Sequence, residues 1–229
     1  MTEFALALGA FLAAHLIPAS PGLRARLVAR LGRGVYLALY SILSIMLLAW
    51  LVVAAQRADT VALWNPAPWQ WWLALALMPW AIFLLVAGLL APNPLSISFR
   101  AGAEPGAVVA VTRHPVLWGF LIWAATHIPP NGDLVSVILF GGMAAFSVLG
   151  FAILDAKARR RLGPEPWSRL SRATSIVPFA AATSGKARLR ADRSLILAGT
   201  ASAALYLWFV LQGHRLLIGR DPLALLGVD

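Results

Sequence analysis

The sequence predicts an all-α integral membrane bundle of about six transmembrane helices, and two features of its composition carry that prediction. Of its 229 residues, 60% are hydrophobic and 12% are charged, whereas soluble domains carry about 25% charged residues. The apolar residues also fall in blocks close to the ~20 residues that cross a hydrocarbon layer. Backbone polar groups cannot stay unpaired in lipid, and these blocks are therefore expected to be helices.

Four uncharged blocks have the length of a membrane span, namely residues 35–55, 71–91, 134–154 and 194–212. Two shorter blocks, residues 4–17 and 115–129, are predicted to be spans as well. The first block is interpreted as a helix of the mature protein, because its acidic start at Glu3 is unlike a cleaved signal. We treat residues 1–229 as a single membrane domain.

The basic residues predict the orientation of the chain. The five loops carry 4, 1, 2, 0 and 10 Lys and Arg residues in order, and the last of them is a basic loop at about residues 155–193. This alternation predicts that the first, third and fifth loops are cytoplasmic and that the N-terminus is periplasmic. The net charge of +10 is then explained by topology and by contact with anionic lipid headgroups, and no nucleic-acid partner is expected.

Two smaller packing features are also expected. Leu23, Leu27, Val28 and Leu31 recur at helical spacing among the arginines of the first loop, which predicts an amphipathic helix on the inner membrane face. Gly141–Gly142 and Gly150 predict that a neighbouring helix packs closely against the fifth span.

Histidines are the main candidates for chemistry, since the chain has no cysteine and an ionisable group at membrane depth is a functional candidate by default. His114, in Thr112–Arg113–His114–Pro115, and His127 flank an uncharged segment. Neutral imidazole is a common ligand of transition metals and of haem iron. These two histidines are thirteen residues apart, or ~20 Å along a helix, and they cannot bind one iron from a continuous helix.

A second helix must then supply the partner ligand, and His15 is the candidate in the first span. Structural roles are the alternative for each residue. His15 can hydrogen-bond to a neighbouring helix, Arg113–His114 can anchor a helix end at the headgroups, and His127 can cap carbonyls freed by the following prolines. His214 lies beyond the last span and is interpreted as an interface residue.

A set of motifs resembles the NnrU family of bacterial membrane proteins. The set runs from Thr112 to Gly119 and continues with Trp123, His127, Asn131–Gly132–Asp133 and Phe140–Gly141–Gly142. Other matching pieces include Pro92–Asn93–Pro94, Trp167 and the stretch from Thr174 to Phe179. The resemblance implies a multi-pass protein associated with denitrification, with respiratory nitrogen-oxide enzymes as partners.

The family is in turn similar to 15-cis-zeta-carotene isomerase, a membrane enzyme that contains haem b. This similarity implies a haem b cofactor with His15 and His127 as its iron ligands, and Arg113, His114 and Trp123 as further residues of the cofactor site. The cysteine of the isomerase's Trp-Cys-x-x-His motif is Ala124 in this chain. A sulfur ligand at that position is therefore excluded, which favours redox chemistry over isomerisation.

Three alternatives stay open at this point. The predicted topology places His15 and His114 at the same side of the membrane and His127 at the other, which favours His15 with His114 as an iron pair. The same Arg113–His114–Pro115 motif, with Thr174 to Phe179 later in the chain, is also similar to isoprenylcysteine-type methyltransferases that use S-adenosylmethionine. In them a later acidic pair follows, and only Asp155 matches it here. A non-enzymatic accessory role in the assembly of respiratory enzymes is the third possibility.

Overall fold

The computed structural model describes residues 1–16, 21–102 and 104–224, and the regular elements in that part of the chain are helices. Within these residues the only extended pairing is an isolated bridge between Ala62 and Asp133. The all-α prediction is confirmed. The helices are α1 Thr2–Leu16, α2 Pro21–Leu31, α3 Arg33–Arg57, α4 Pro68–Leu90, α5 Pro115–Asn131, α6 Leu134–Leu162, α7 Pro164–Arg172, α8 Ala180–Thr183, α9 Arg193–Trp208 and α10 His214–Ile218.

Four helical segments in the described part of the chain are long and apolar enough to cross a membrane: α3, α4, α6 and the continuous stretch Arg193–Ile218. That last stretch runs from α9 through a π-helical turn at Phe209–Gly213 into α10. The other two predicted spans correspond to shorter helices, α1 and α5, of 15 and 17 residues. Residue 17, the last of the predicted first span, lies outside the described residues. A helical membrane bundle is confirmed, with two of its helices shorter than a full crossing.

The chain divides into two compact units, the first formed by Met1–Leu63 with Asp133–Leu139 and the second by Trp64–Gly132 with Phe140–Asp229. In the first unit α1 and α2 pack on α3. Its core is a cluster of five buried residues, Phe4, Ala7, Leu51, Ala54 and Val135. The single domain over residues 1–229 stays a prediction.

In the second unit α4 packs against both α5 and α9. The α4–α5 contact depends on Gly119, because a Cβ there would lie 2.6 Å from Leu85 Cγ and 2.7 Å from the carbonyl oxygen of Ala81. Of the glycines expected to allow close packing on α6, Gly150 does so, since its Cβ position lies 3.0 Å from the Leu117 side chain. The expectation is wrong for Gly141 and Gly142, which face open space.

Helix α6 continues past the predicted end of its span at residue 154 and reaches Leu162. The added turns consist of Ala, Lys, Arg and Leu after Asp155, which are strong helix formers. The helix ends at Gly163, whose φ of 83° is readily adopted only without a side chain. The predicted basic loop at 155–193 is therefore partly helical, and it also contains α7 and α8.

Helix α2 matches the amphipathic helix predicted in the first loop. Its residues Leu23, Leu27 and Val28 are half-buried, whereas its arginines are exposed. Leu31, predicted to share the apolar face, is exposed. The location of this helix at the inner membrane face stays a prediction.

Asp192 fixes the start of α9. Its Oδ1 accepts a hydrogen bond from the Leu195 N–H at 2.8 Å, and its Oδ2 accepts one from the Ala107 N–H at 2.9 Å, in a 3₁₀ turn at Ala107–Ala110. Partial burial works to raise the pKa of Asp192, but these bonds and one from Ser194 outweigh it and hold the pKa below its usual value. The carboxylate thereby joins the turn that precedes α5 to the first turn of α9.

The close approach at Gly119 gives a direct test of the α4–α5 packing. We expect Gly119→Ala to lower the free energy of unfolding in detergent by about 1–3 kcal/mol, because the added methyl meets backbone that cannot move aside. The matched control is Gly141→Ala, in α6 with open space around it, which should be neutral or stabilising by up to ~1 kcal/mol. Equal effects of the two substitutions would contradict the packing.

Candidate functional site

The segment Thr112–Arg113–His114–Pro115 leads into α5, in the second unit. Pro115 occupies the first turn of the helix and His114 is the residue before it, with a non-helical φ of −122°. Proline favours this position because the first N–H groups of a helix have no partner within it, and because the residue before proline avoids the helical region. The sequence therefore sets both the start of α5 and the non-helical backbone conformation of His114, the residue before it.

His114 is fully buried and both of its ring nitrogens are hydrogen-bonded. Nε2 lies 2.9 Å from Oδ1 of Asp155, and Nδ1 lies 2.8 Å from Oγ of Ser96. An ionised carboxylate only accepts hydrogen bonds, which assigns a proton to Nε2 and, in the neutral ring, makes the Ser96 hydroxyl the donor to Nδ1. Phe151 covers the ring, with 5.7 Å between ring centroids.

Arg113 binds the other oxygen of the same carboxylate. Its Nη1 lies 2.6 Å from Oδ2 of Asp155, with 12% of the arginine side chain and 19% of the aspartate side chain exposed. Its Nε donates to Oγ1 of Thr174 at 2.9 Å, and its Nη2 donates to the Ser171 carbonyl at 3.1 Å. The guanidinium also lies over the ring of Trp167, 5.2 Å from the centroid. We refer to Ser96, Arg113, His114, Asp155 and Thr174 as the polar cluster.

Backbone groups attach the stretch from Thr174 to Phe179 to the start of α5. The Arg113 N–H donates to the Ser175 carbonyl at 2.8 Å. The Ile176 carbonyl accepts from the Thr112 hydroxyl and from the Trp118 indole N–H, both at 2.8 Å. Two motifs about sixty residues apart in the chain, 112–118 and 174–179, are therefore one structural element.

Every side-chain nitrogen of Arg113 and His114 in the polar cluster has a protein partner. Each of the three nitrogens of the Arg113 guanidinium has a protein acceptor, and neither nitrogen of His114 is left for an iron. In the part of the chain that the structure describes, no group of three or more His, Cys, Asp or Glu side chains could hold a metal ion. The arrangement joins the start of α5 to α6, α7 and the loop after α7.

His127, near the other end of α5, is in a different state. Its Nδ1 lies 2.7 Å from the Trp123 carbonyl, four residues earlier in the helix, and so carries the proton. The half-buried ring lies between Trp123 and Phe140, at centroid distances of 5.4 and 5.0 Å. Its Nε2 has no hydrogen bond to any residue within 1–16, 21–102 or 104–224.

His15 shows the same arrangement within the first unit. Its Nδ1 lies 2.7 Å from the Phe11 carbonyl, and its ring contacts Phe11 and Tyr40 at centroid distances of 4.2 and 5.9 Å. Its Nε2 likewise makes no hydrogen bond to a described residue. His214 also bonds a carbonyl through Nδ1, that of Arg220 at 2.7 Å, but among the described residues no aromatic ring packs on it.

Sequence reasoning identified Arg113 and His114 but gave Asp155 no structural role. A signal for Asp155 was present, because it is the one acidic residue that directly follows the uncharged block 134–154. A lone carboxylate at that depth requires a partner. Ser96 had no comparable signal, since its role depends on a contact with a residue eighteen positions away.

These features define a multi-pass helical membrane protein with a saturated polar cluster at the start of α5. The family model described as NnrU protein matches residues 3–222, and the chain belongs to the NnrU family. Its relatives include 15-cis-zeta-carotene isomerase, chloroplastic, of Zea mays, 32% identical over 85 residues, and the Arabidopsis thaliana protein of the same name, 29% identical over 85 residues. Each match covers 37% of this chain but 23% of the relative's length. No solved structure matches the chain.

Removal of the shared carboxylate tests the polar cluster. We expect Asp155→Ala to lower the free energy of unfolding by about 3 kcal/mol, because it leaves the Arg113 charge without a counter-ion in a mostly buried site. The matched control is Glu104→Ala, which breaks the Arg169–Glu104 pair at 2.9 Å, where both side chains are more than half exposed. That change should cost less than about 1 kcal/mol. A denaturation series in detergent checks both, and an equal cost for the two would contradict the account.

Proposed function

We propose that this NnrU-family protein is a membrane haem protein in which His127 and His15 would hold haem b. It acts in respiratory nitrogen-oxide metabolism, beside denitrification or other respiratory enzymes, by redox or isomerase-type chemistry. The observation that carries the proposal is the state of His127, whose Nδ1 bonds the Trp123 carbonyl at 2.7 Å while its Nε2 is left without a described partner.

Histidines that bind metals have this arrangement, with one ring nitrogen hydrogen-bonded and the other free. Metal-ligating histidines almost always donate their second ring N–H to a carbonyl, a carboxylate or water, which fixes the tautomer and raises the basicity of the ligating nitrogen. His15 has the same bond, to the Phe11 carbonyl. Each ring also packs against aromatic side chains, which limit access of water to the free nitrogen. Each of the two residues, taken by itself, has the donor chemistry and the surroundings expected of an iron ligand.

The alternative pair, His15 with His114, is disfavoured by the polar cluster. Both nitrogens of His114 are hydrogen-bonded and its side chain is fully buried. To bind iron it would have to give up the bond to Asp155 or the bond to Ser96, at the cost of leaving a buried polar group unpaired. The donor chemistry therefore supports His127 over His114.

The chemistry of the bound group would be limited by its ligands. A bound haem would supply one-electron redox chemistry, and if His15 and His127 both held it, electron transfer would be favoured over binding of a substrate. Ala124, buried beside Trp123, offers no ligand atom. The protein's own contribution is to hold two imidazoles with a fixed tautomer in apolar surroundings.

The geometry gives less support to a methyltransferase that uses S-adenosylmethionine. In that hypothesis Arg113 and His114 contact the cofactor, whereas here their hydrogen-bonding groups are engaged by Asp155, Ser96 and Thr174. No specific contact favours a purely accessory role, and the experiment below distinguishes all three possibilities.

The spectrum of the purified protein tests the haem proposal. We expect a Soret band and bis-imidazole visible bands in the wild type, and loss of that spectrum in His127→Ala and in His15→Ala. His214→Ala is the matched control and should keep it, because His214 lacks the aromatic surroundings. In His127→Gly, added imidazole should restore the bands by occupying the vacated space.

Three results would contradict the proposal. A colourless wild type prepared from haem-supplied cells would exclude haem, and binding of S-adenosylmethionine by that preparation would favour the methyltransferase. A colourless protein that binds neither would leave the accessory role. Retention of the full spectrum by His127→Ala would exclude His127 as a ligand even if haem is present.

The orientation in a bacterial inner membrane belongs to the same proposal, with the N-terminus in the periplasm and the basic loops in the cytoplasm. Support comes from the alternation of basic residues between loops. The C-terminal end of α6 and the whole of α7 fall in the most basic of these loops, so that the polar cluster would lie at the cytoplasmic side.

The absence of cysteine from the chain allows a clean test of this orientation. We expect Thr60→Cys, in the loop after α3, to react with a membrane-impermeant maleimide in intact spheroplasts. Ser184→Cys, after α8, should react only after the membrane is permeabilised. Both positions are exposed, and the reverse pattern of labelling would invert the topology.

A further inference from the structure

An open cleft rich in arginine lies along α7. It has a volume of about 940 Å³ and is lined by α7 together with Arg159 from the last turns of α6. Three of its lining side chains are Arg159, Arg169 and Arg172, against a single acidic one, Glu165. We refer to this feature as the arginine cleft.

The polar cluster supports one wall of the arginine cleft. Trp167 lines the cleft and also lies against the Arg113 guanidinium at 5.2 Å. Ser171 lines it as well, and its carbonyl accepts a hydrogen bond from Arg113. Leu170, in the same helix, is buried. Helix α7 is therefore held in place, and the cleft is part of the folded structure.

The positive charge of the cleft is mostly uncompensated. Arg169 pairs with Glu104 at the protein surface, where both side chains are exposed. Arg159 and Arg172 are exposed and make no ion pair with any described residue, although Arg172 Nε donates to the Ser168 carbonyl at 3.1 Å. An anion that enters the cleft would meet guanidinium groups with free donors.

The position of the cleft along the chain indicates where such an anion comes from. The uncharged block of α6 ends at residue 154, and Arg159 lies about 7 Å further along that helix at 1.5 Å per residue. The next span begins at Arg193. A residue a few ångströms beyond the end of a hydrocarbon-crossing helix lies at the level of the lipid headgroups.

We propose that the arginine cleft binds the phosphate headgroup of an anionic phospholipid. Guanidinium groups bind phosphate oxygens in bidentate geometry, and tryptophan prefers the membrane interface, where Trp167 would flank the bound headgroup. A volume of about 940 Å³ accommodates a phosphoglycerol headgroup with the start of its acyl chains. The site is separate from the histidines proposed to bind haem, and it stands whether or not haem is present.

The test is lipid retention by the full-length protein, measured by native mass spectrometry after equilibration with equal amounts of phosphatidylglycerol and phosphatidylcholine. We expect wild type to retain phosphatidylglycerol selectively. The variant Arg159→Gln/Arg169→Gln/Arg172→Gln should retain at least about tenfold less, since each arginine near an anionic surface contributes to binding. The matched control is Lys157→Gln/Lys186→Gln/Arg188→Gln, which removes the same charge from the same basic region outside the cleft and should retain lipid as wild type does.

Several results would overturn the proposal. Equal loss in the two triple variants would indicate diffuse electrostatic attraction, and equal retention of the two lipids would exclude headgroup selectivity. Displacement of the lipid by millimolar inorganic phosphate would assign the cleft to a soluble anion, and displacement by S-adenosylmethionine would assign it to that cofactor. Thermal unfolding of both variants provides the folding check. If the cleft variant is unfolded, the single change Arg172→Gln, at an exposed position, replaces it and must still reduce retention.

Discussion

The structure depends on the pairing of one carboxylate with two cationic or donor side chains where the apolar block of α6 ends. Asp155 gives one oxygen to Arg113 and the other to His114. An unpaired charge at this position would be costly, because little water reaches it and a lone charge cannot be solvated by apolar side chains. The pairing therefore requires the start of α5 to meet α6 where its apolar block ends. Helix α7 and the loop after it complete the set of acceptors around Arg113.

Much of the fold follows from sequence, because lipid imposes a simple rule. Any apolar block of sufficient length must be a helix, and the predicted blocks at 35–55, 71–91, 134–154 and 194–212 lie in helices of the structure, except for Ala91, which caps the end of α4. The rule gives no information on where a helix continues into water. It failed at the end of α6, where propensity and Gly163 set the boundary instead of hydropathy. A separate prediction, that Gly141 allows close packing of a neighbouring helix, was also wrong. A glycine makes close packing possible, but it does not show which face of the helix a neighbour occupies.

The candidate site was predictable only in part. The motif identified Arg113 and His114, and Pro115 indicated the start of a helix. Their partners could not be derived from local pattern, because hydrogen bonds to residues about 20 to 60 positions away depend on how the helices pack. Sequence reasoning also could not show how many ring nitrogens of each histidine are hydrogen-bonded by the rest of the described protein. The structure separates them by the number of ring nitrogens that the protein itself uses: two in His114, and one in His15 and in His127.

This difference in hydrogen bonding decides which histidines can bind a metal. A histidine with a bare Nε2 can bind one, whereas a histidine with both ring nitrogens hydrogen-bonded cannot. Nitrogen NMR of the haem-free protein labelled at its four histidines tests it directly, because protonated and bare ring nitrogens differ widely in chemical shift. The account predicts a proton on Nδ1 and a bare Nε2 in both His15 and His127, and a protonated Nε2 in His114. The opposite tautomer in His127, with the proton on Nε2, would contradict it.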